Sequence, residues 1–119
     1  MAQLPVPLEA EEGKTLVAYL RRKRYTFTHT PNETGHTPEA RRRAIRMKQQ
    51  GTSKGFPDYT IILKRGGIAI IELKRVRGSA TSPEQKEWIA AFQAAGVPAR
   101  ICRGAAESIA FIEEVENAV

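Results

Sequence analysis

Cysteine is almost absent: Cys102 is the only one in 119 residues. That excludes an intrachain disulfide and any zinc site built on several thiolates. A reducing compartment suits such a chain, and a cytoplasmic location is expected. Long apolar runs are missing as well. Nothing approaches the ~18 uninterrupted apolar residues that mark a membrane span, so no membrane partner is expected on that ground. The opening MAQLPVPLEAEEG has no basic start followed by an apolar stretch and does not read as a secretory leader. There is no internal repeat or low-complexity tract. Zinc-finger spacing, an aromatic stacking ladder and a clear helix-turn-helix are also lacking, which argues against direct reading of base sequence.

The length suits one domain, residues 1–119, around a single packed core. What the chain does have is charge of one sign in one place. The formal net charge is +6, and Arg41, Arg42, Arg43, Arg46, Lys48 and Lys54 fall between Ala40 and Lys54 without an acid among them. Outside that segment basic and acidic residues balance at 13 each. A concentrated excess of this kind favours a polyanionic partner, a nucleic acid or an acidic membrane or protein surface. A charge run is usually a solvated helix face. Its position just before a G-x-P-D turn favours phosphate contacts, and with no base-reading element the shape of the nucleic acid is the expected object of recognition.

Periodicity divides the chain into alternating elements. Glu9 to Arg24 reads as a helix with Leu16, Val17 and Leu20 inward, and Tyr25 to Thr30 as a strand. PNETGHTP, residues 31–38, is a loop; Thr37 then caps and Pro38 opens a basic helix to about Gln50, with Ala40, Ala44 and Met47 as a thin inner face. Tyr59 to Lys64 and Ile68 to Lys74 are joined by Arg65, Gly66 and Gly67, a hairpin signal. Ser82, Pro83 and Gln85 open a helix that Gly96 ends, with Trp88, Ala91, Phe92 and Ala95 as its buried stripe. A short strand at Val97 to Arg103 and a helix from Ala105 to Ala118, with Ile109, Ile112 and Val115 inward, complete an α/β fold with a small mixed sheet.

The hairpin carries charges where burial is costly. If it turns about Gly66, Thr60 opposes Glu72 and Asp58 opposes Lys74, and Asp58, Thr60, Ile62, Ile68, Ile70, Glu72 and Lys74 share one face. Asp58 and Glu72 are then diagonal neighbours ~7–8 Å apart at the backbone. Two carboxylates that close in a poorly hydrated place repel unless a cation joins them. Mg2+, with Mn2+ as its substitute, is the natural candidate, because it takes one or two carboxylates and keeps waters that a phosphate can replace. Lys74 is then placed to meet the phosphate or to orient and deprotonate an attacking water. Taken singly, E-x-K on a strand is an ordinary ion pair and P-D an ordinary turn; together, in order and on one hairpin, they point to phosphodiester chemistry.

Gly55, Pro57 and Asp58, then Ile71-Glu72-Leu73-Lys74, then Ser82-Pro83-Glu84-Gln85-Lys86-Glu87-Trp88, resemble the VRR-Nuc (virus-type replication-repair nuclease) domain of the PD-(D/E)xK nuclease superfamily. The likeness runs from about Glu9 to the C-terminus. It implies the PD-(D/E)xK core, a central hairpin in a mixed sheet flanked by helices, and a divalent-metal-dependent endonuclease acting on DNA. Asp58, Glu72 and the Leu73 carbonyl would be metal ligands and Lys74 the catalytic lysine. A glutamate of the first helix would join them; Glu9, Glu11 and Glu12 compete, and Glu12 aligns best by its distance to Leu16 and Leu20, although Gly13 stands where a glutamine commonly follows. Gln85 would face the site as well as close its capping box. For His29 and Asn32, packing and turn chemistry come first, although their loop lies where a phosphate could pass. Similar stand-alone domains are thought to act as homodimers, which suits paired cuts in branched DNA such as four-way (Holliday) junctions, and a viral or phage origin fits the likeness. The rival readings are a non-catalytic DNA-binding module on the same fold, and a binder of acidic membranes or proteins through the basic helix alone.

Overall fold

In the computed structural model, which describes residues 5–31 and 35–118, the elements follow the expected order. They are α1 (Glu9–Arg22), β1 (Thr26–His29), α2 (Pro38–Gln49), β2 (Tyr59–Ile62), β3 (Ile68–Lys74), α3 (Pro83–Ala94), β4 (Ala99–Arg103) and α4 (Ala105–Glu116). The four strands form one mixed sheet in the order β1-β2-β3-β4. The first three are antiparallel neighbours, and β4 lies parallel to β3 after the crossover through α3. Helices cover both faces, α1 and α4 on one and α3 on the other. Asn32 lies outside the described residues.

The larger core sits beneath α1 and α4, where Leu16, Leu20 and Ile112 meet Ile61, Ala69, Ile71 and Leu73. These strand residues are odd-numbered, as a period of two requires of one face. The even-numbered Ile70, with Ile68 beside it, packs instead against Ile89 and Phe92 of α3. Because β3 is buried on both faces, its residues from Ala69 to Lys74 are all buried, and any charge at the end of this strand is held in a poorly hydrated setting.

Three expectations change. The hairpin register is Thr60 opposite Ile70 and Tyr59 opposite Ile71. Extending it by one residue sets Asp58 level with Glu72, not with Lys74. The turn centres on Arg65, because Gly66 and Gly67, with φ of 105° and 81°, both lie on the β3 side of it. A slip of two residues keeps every side chain on its face, so the shared face survives while the two acids move from diagonal to directly opposed.

The second change concerns α2. Thr37 Oγ1 accepts from Ala40 N at 3.1 Å as a cap, yet no residue of the helix is buried, and Ile45 and Met47 are exposed. Of the expected inner face, Ala40 is half-buried beside Gly35 while Ala44 and Met47 are exposed, and no α2 residue joins a core cluster. The third is the α3 stripe. Ala91 and Ala95 face solvent, and Ile89 with Gln85 is buried in their place, because the face that meets the sheet carries Gln85, Ile89 and Phe92.

Candidate active site

The G-x-P-D turn reaches the sheet through a glycine that nothing else can replace. Gly55 has φ of 85°, and a Cβ there would stand 2.7 Å from Glu84 Cβ and 2.9 Å from Gln85 N. Its missing side chain lets the turn lie against the start of α3. Trp88 Nε1 donates to the Lys54 carbonyl at 3.2 Å, and Phe56 packs edge-on against Trp88 and Phe92. The turn is thereby tied to α3 on either side of Gly55, and Asp58 follows from it. The Leu73 amide donates to Asp58 Oδ2 at 2.9 Å, and the Thr30 amide donates to the Asp58 carbonyl at 2.7 Å. Asp58 and Glu72 are 4% and 1% exposed, so neither charge is relieved by water.

Glu72 is held from one side only. Gln85 Nε2 donates to Glu72 Oε2 at 3.2 Å, while Gln85 Oε1 accepts from Ser82 N at 2.9 Å and closes the capping box of α3. One side chain thus both closes the cap and contacts Glu72. Its carbonyl is committed to the helix start, which leaves the amide to face the carboxylate. Lys74 Nζ lies 3.9 Å from the same Oε2. The other oxygen, Glu72 Oε1, is buried and has no hydrogen-bond partner among the described residues.

The three glutamates of α1 separate cleanly. Glu9 offers an oxygen to a cluster with Asp58 and Glu72 in which the ligand atoms all lie within 4.8 Å of one another. Glu11 Oε2 accepts from the Leu8 amide at 3.3 Å and closes its own helix start. Glu12, which aligned best, turns to the far helix and accepts from Ala105 N at 3.3 Å through Oε1. That is a correction with a clear cause. The N-cap of α4 is Gly104, which has no side chain to satisfy the free amides, so a carboxylate from another helix serves there and meets the positive end of the dipole. Arg75 helps to place Glu9: its guanidinium donates to the Val6 and Pro7 carbonyls at 3.0 and 3.3 Å and holds the chain that leads into α1.

Electrostatics reflect this crowding. Burial, followed by the adjacent Asp58, pushes the Glu72 carboxyl up to about 9, against an opposing pull from Lys74. Burial and then Asp58 raise Glu9 too, while Lys74 and His29 act the other way. With no cation beside it, the Glu72 carboxyl keeps its proton near neutral pH. The donor set is all oxygen, partly buried, and includes an unpartnered carboxylate oxygen, which fits a hard divalent cation. The Leu73 peptide, whose amide meets Asp58, is beside this cluster.

Of the basic set, Arg41, Arg42, Arg43, Arg46 and Lys48 line α2 with every side chain exposed, and Lys54 sits in the turn next to Gly55. They are not part of the acid cluster. His29 stacks on Tyr59, with ring centroids 4.7 Å apart and an interplanar angle of 19°. The role of Glu9 as third acid was one of three options in the sequence; the glycine before α4, which has to borrow a cap, was the signal that pointed Glu12 elsewhere.

Comparison with known proteins agrees with this architecture. A search of curated proteins gives no significant match. A solved structure described as a "VRR_NUC domain protein" superposes with a TM-score of 0.74 at 24% identity, covering 93% of this chain and 89% of the other, which shows the shared fold. The family model for the VRR-NUC domain matches residues 9–106, and with most of its length so matched the chain belongs to the VRR-NUC family of nuclease-type domains.

Proposed function

We propose that this domain is a metal-dependent DNA endonuclease that prefers branched substrates such as four-way junctions and acts as a homodimer, with Mg2+ as cofactor and Mn2+ able to replace it. The observation that carries the reading is the cluster of Glu9, Asp58 and Glu72, with Glu72 Oε1 buried and unpartnered and Lys74 beside it. A purely structural carboxylate would have that oxygen satisfied. Asp58, Glu72 and Glu9 would hold the ion, with the Leu73 carbonyl as a further donor. When bound, the cation would activate water and offset charge developing on the phosphate.

The side chains divide the remaining work. Lys74, 8% exposed and held near Glu72 Oε2, keeps its ammonium at the mouth of the sheet, where it can donate to a phosphate oxygen or orient the attacking water. Gln85 fixes the Glu72 carboxylate while taking its own bearing from the helix cap, and so acts as a positioning residue. Arg41, Arg42, Arg43, Arg46, Lys48 and Lys54 would neutralise phosphates on the flanking duplex without reading bases. Two copies would present two sites for paired incision, in the DNA-containing interior of a cell. Among the described residues no helix is long and apolar enough to cross a membrane.

Cleavage of a four-way junction, a flap and a linear duplex, each with Mg2+ or Mn2+, tests the reading. The junction should be cut fastest, and Glu72→Ala should lower the rate by more than ~10³-fold while leaving DNA binding in place. Equal cutting of all three substrates would reject junction preference. No cutting of any of them, with binding intact, would leave a DNA-binding module on the same fold.

A further inference from the structure

A groove opens directly beside the acid cluster. It has a volume of about 470 Å³ and lies between α1 and the paired ends of β1 and β2, lined by Ala10, Lys14, Val17, Arg21, His29 and Tyr59 among others. Glu9 links it to the site: Ala10 follows Glu9 on α1, and His29, the cross-strand partner of Tyr59, lies near enough to act on the Glu9 carboxyl, although Tyr59 and Asp58 themselves point to opposite faces of the sheet. Its floor is close-fitted, since Gly13 on the same helix leaves room for the Tyr59 hydroxyl, which would stand 2.9 Å from a Cβ at that position.

We infer that this groove receives one unpaired nucleotide of the substrate strand next to the cleaved phosphate, with its base on the His29 ring and its phosphates toward Lys14 and Arg21. This deepens the nuclease reading and rests on it. Three independent features converge. The His29 ring is exposed yet already stacked on buried Tyr59, so its plane is set before a ligand arrives. A fixed aromatic plane beside a cationic track is the usual single-strand platform, and stacking on it tolerates any base. The cations are also uncommitted: Lys14 and Arg21 are exposed on one wall, seven residues and so about two helical turns apart, and neither is paired with an acid among the described residues. Finally, the volume lies within the ~300–1,000 Å³ usual for small-ligand clefts, enough for a nucleotide but not for a paired duplex step.

A base can reach this ring only after leaving its own stack, which is least costly where DNA is already unpaired or strained. The groove therefore gives a physical basis for preferring branched DNA that the basic helix cannot supply, because α2 meets paired and unpaired phosphates alike.

The test measures binding without cleavage. Binding of a thymidine tetranucleotide and of its abasic counterpart to the full chain in EDTA is followed by NMR of the His29 ring protons and by titration. The thymidine probe should bind ~10-fold more tightly than the abasic one. His29→Ala should erase that difference, and His29→Phe should restore it. Lys14→Gln with Arg21→Gln should weaken both probes and flatten the salt dependence. Equal binding of the two probes by the wild-type chain, or no effect of His29→Ala, would overturn the inference even if the enzyme cuts junctions normally. Failure of the nuclease reading is seen separately, as absence of cutting with Mg2+ or Mn2+.

Discussion

The mouth of the β2–β3 hairpin and the α2 helix are both dense in charge, yet they are built in opposite ways. At the hairpin every charged group is buried and held by a named neighbour: Asp58 by the Leu73 amide, Glu72 by Gln85, and the turn itself by Gly55 against α3. On α2 no residue is buried, and the basic side chains are exposed on a helix that rests on no core. On the nuclease reading, the difference follows from what each would meet. A reacting phosphate needs groups fixed to fractions of an ångström, whereas a polyanion needs only cations within reach of a broad field.

Substitutions should separate the two regions by the kinetic constant they move. Gln85→Ala takes from Glu72 the amide that holds its Oε2 and should lower kcat ~10–100-fold with little change in binding. It should also reduce stability by ~1 kcal/mol, since Ser82 N loses its acceptor, while the Ser82 Oγ cap on the amide of residue 85 stays. Replacing Arg41, Arg42 and Arg46 together by Gln should do the reverse. Affinity for DNA should fall ~10-fold or more at ~0.1 M salt, the salt slope should shrink by up to ~0.9 per lost contact, and kcat at saturation and the melting temperature should hold, because none of the three is buried. A variant of α2 that lowers kcat at saturating DNA would show that the helix joins the chemistry and would collapse the distinction.

The hairpin mouth should also respond to pH in a way that α2 cannot. The Glu72 carboxyl is raised to about 9 from an ordinary 4.5, by burial first and Asp58 second. The folded state then binds more protons than the unfolded one between those values, so stability in EDTA is full below pH ~4.5 and declines as pH rises toward ~9. On the proposed reading, Mg2+ or Mn2+ would bind the ionised cluster and should raise the melting temperature more at pH 8 than at pH 6. Glu72→Gln should remove most of both effects. A melting temperature in EDTA that climbs from pH 6 to 8 would contradict the buried-acid arrangement.

How much of this was legible in the sequence tracks how local each determinant is. The α3 start was readable from Ser82, Pro83 and Gln85, because capping is settled within four residues. The face shared by Asp58 and Glu72 was readable because alternation survives a register error. The register itself was not, since it depended on where the turn centred around two consecutive glycines. The choice of Glu9 over Glu12 was still less local. It depended on Gly104, more than 90 residues away, needing a borrowed carboxylate. The isolation of α2 escaped for a different reason: Ala40, Ala44 and Met47 make a plausible stripe, but whether a stripe meets a partner is a property of the tertiary fold.

The same long reach predicts the smallest effect. The tip of the hairpin, opposite to its charged mouth, is pinned by one acid from the end of α4. Glu116 accepts from the Lys64 and Arg65 amides at 3.1 Å each and from the Tyr25 hydroxyl at 2.7 Å. Burial tends to raise its carboxyl, but the bonds from Tyr25, Arg65 and Lys64 outweigh it and hold the group below its ordinary 4.5. With a depressed value in the folded state, this contribution is present above pH ~4.5 and is lost as pH falls through the folded value. Glu116→Gln should therefore cost ~1 kcal/mol at neutral pH, a shift of a few degrees in melting temperature, and less in acid. Cleavage should be unchanged, because the anchored tip lies at the far end of the strands from Asp58 and Glu72. A loss of activity without a loss of stability would mean that the turn transmits its position to the acids, and that the register set by Gly66 and Gly67 is tuned for the site as well as for the fold.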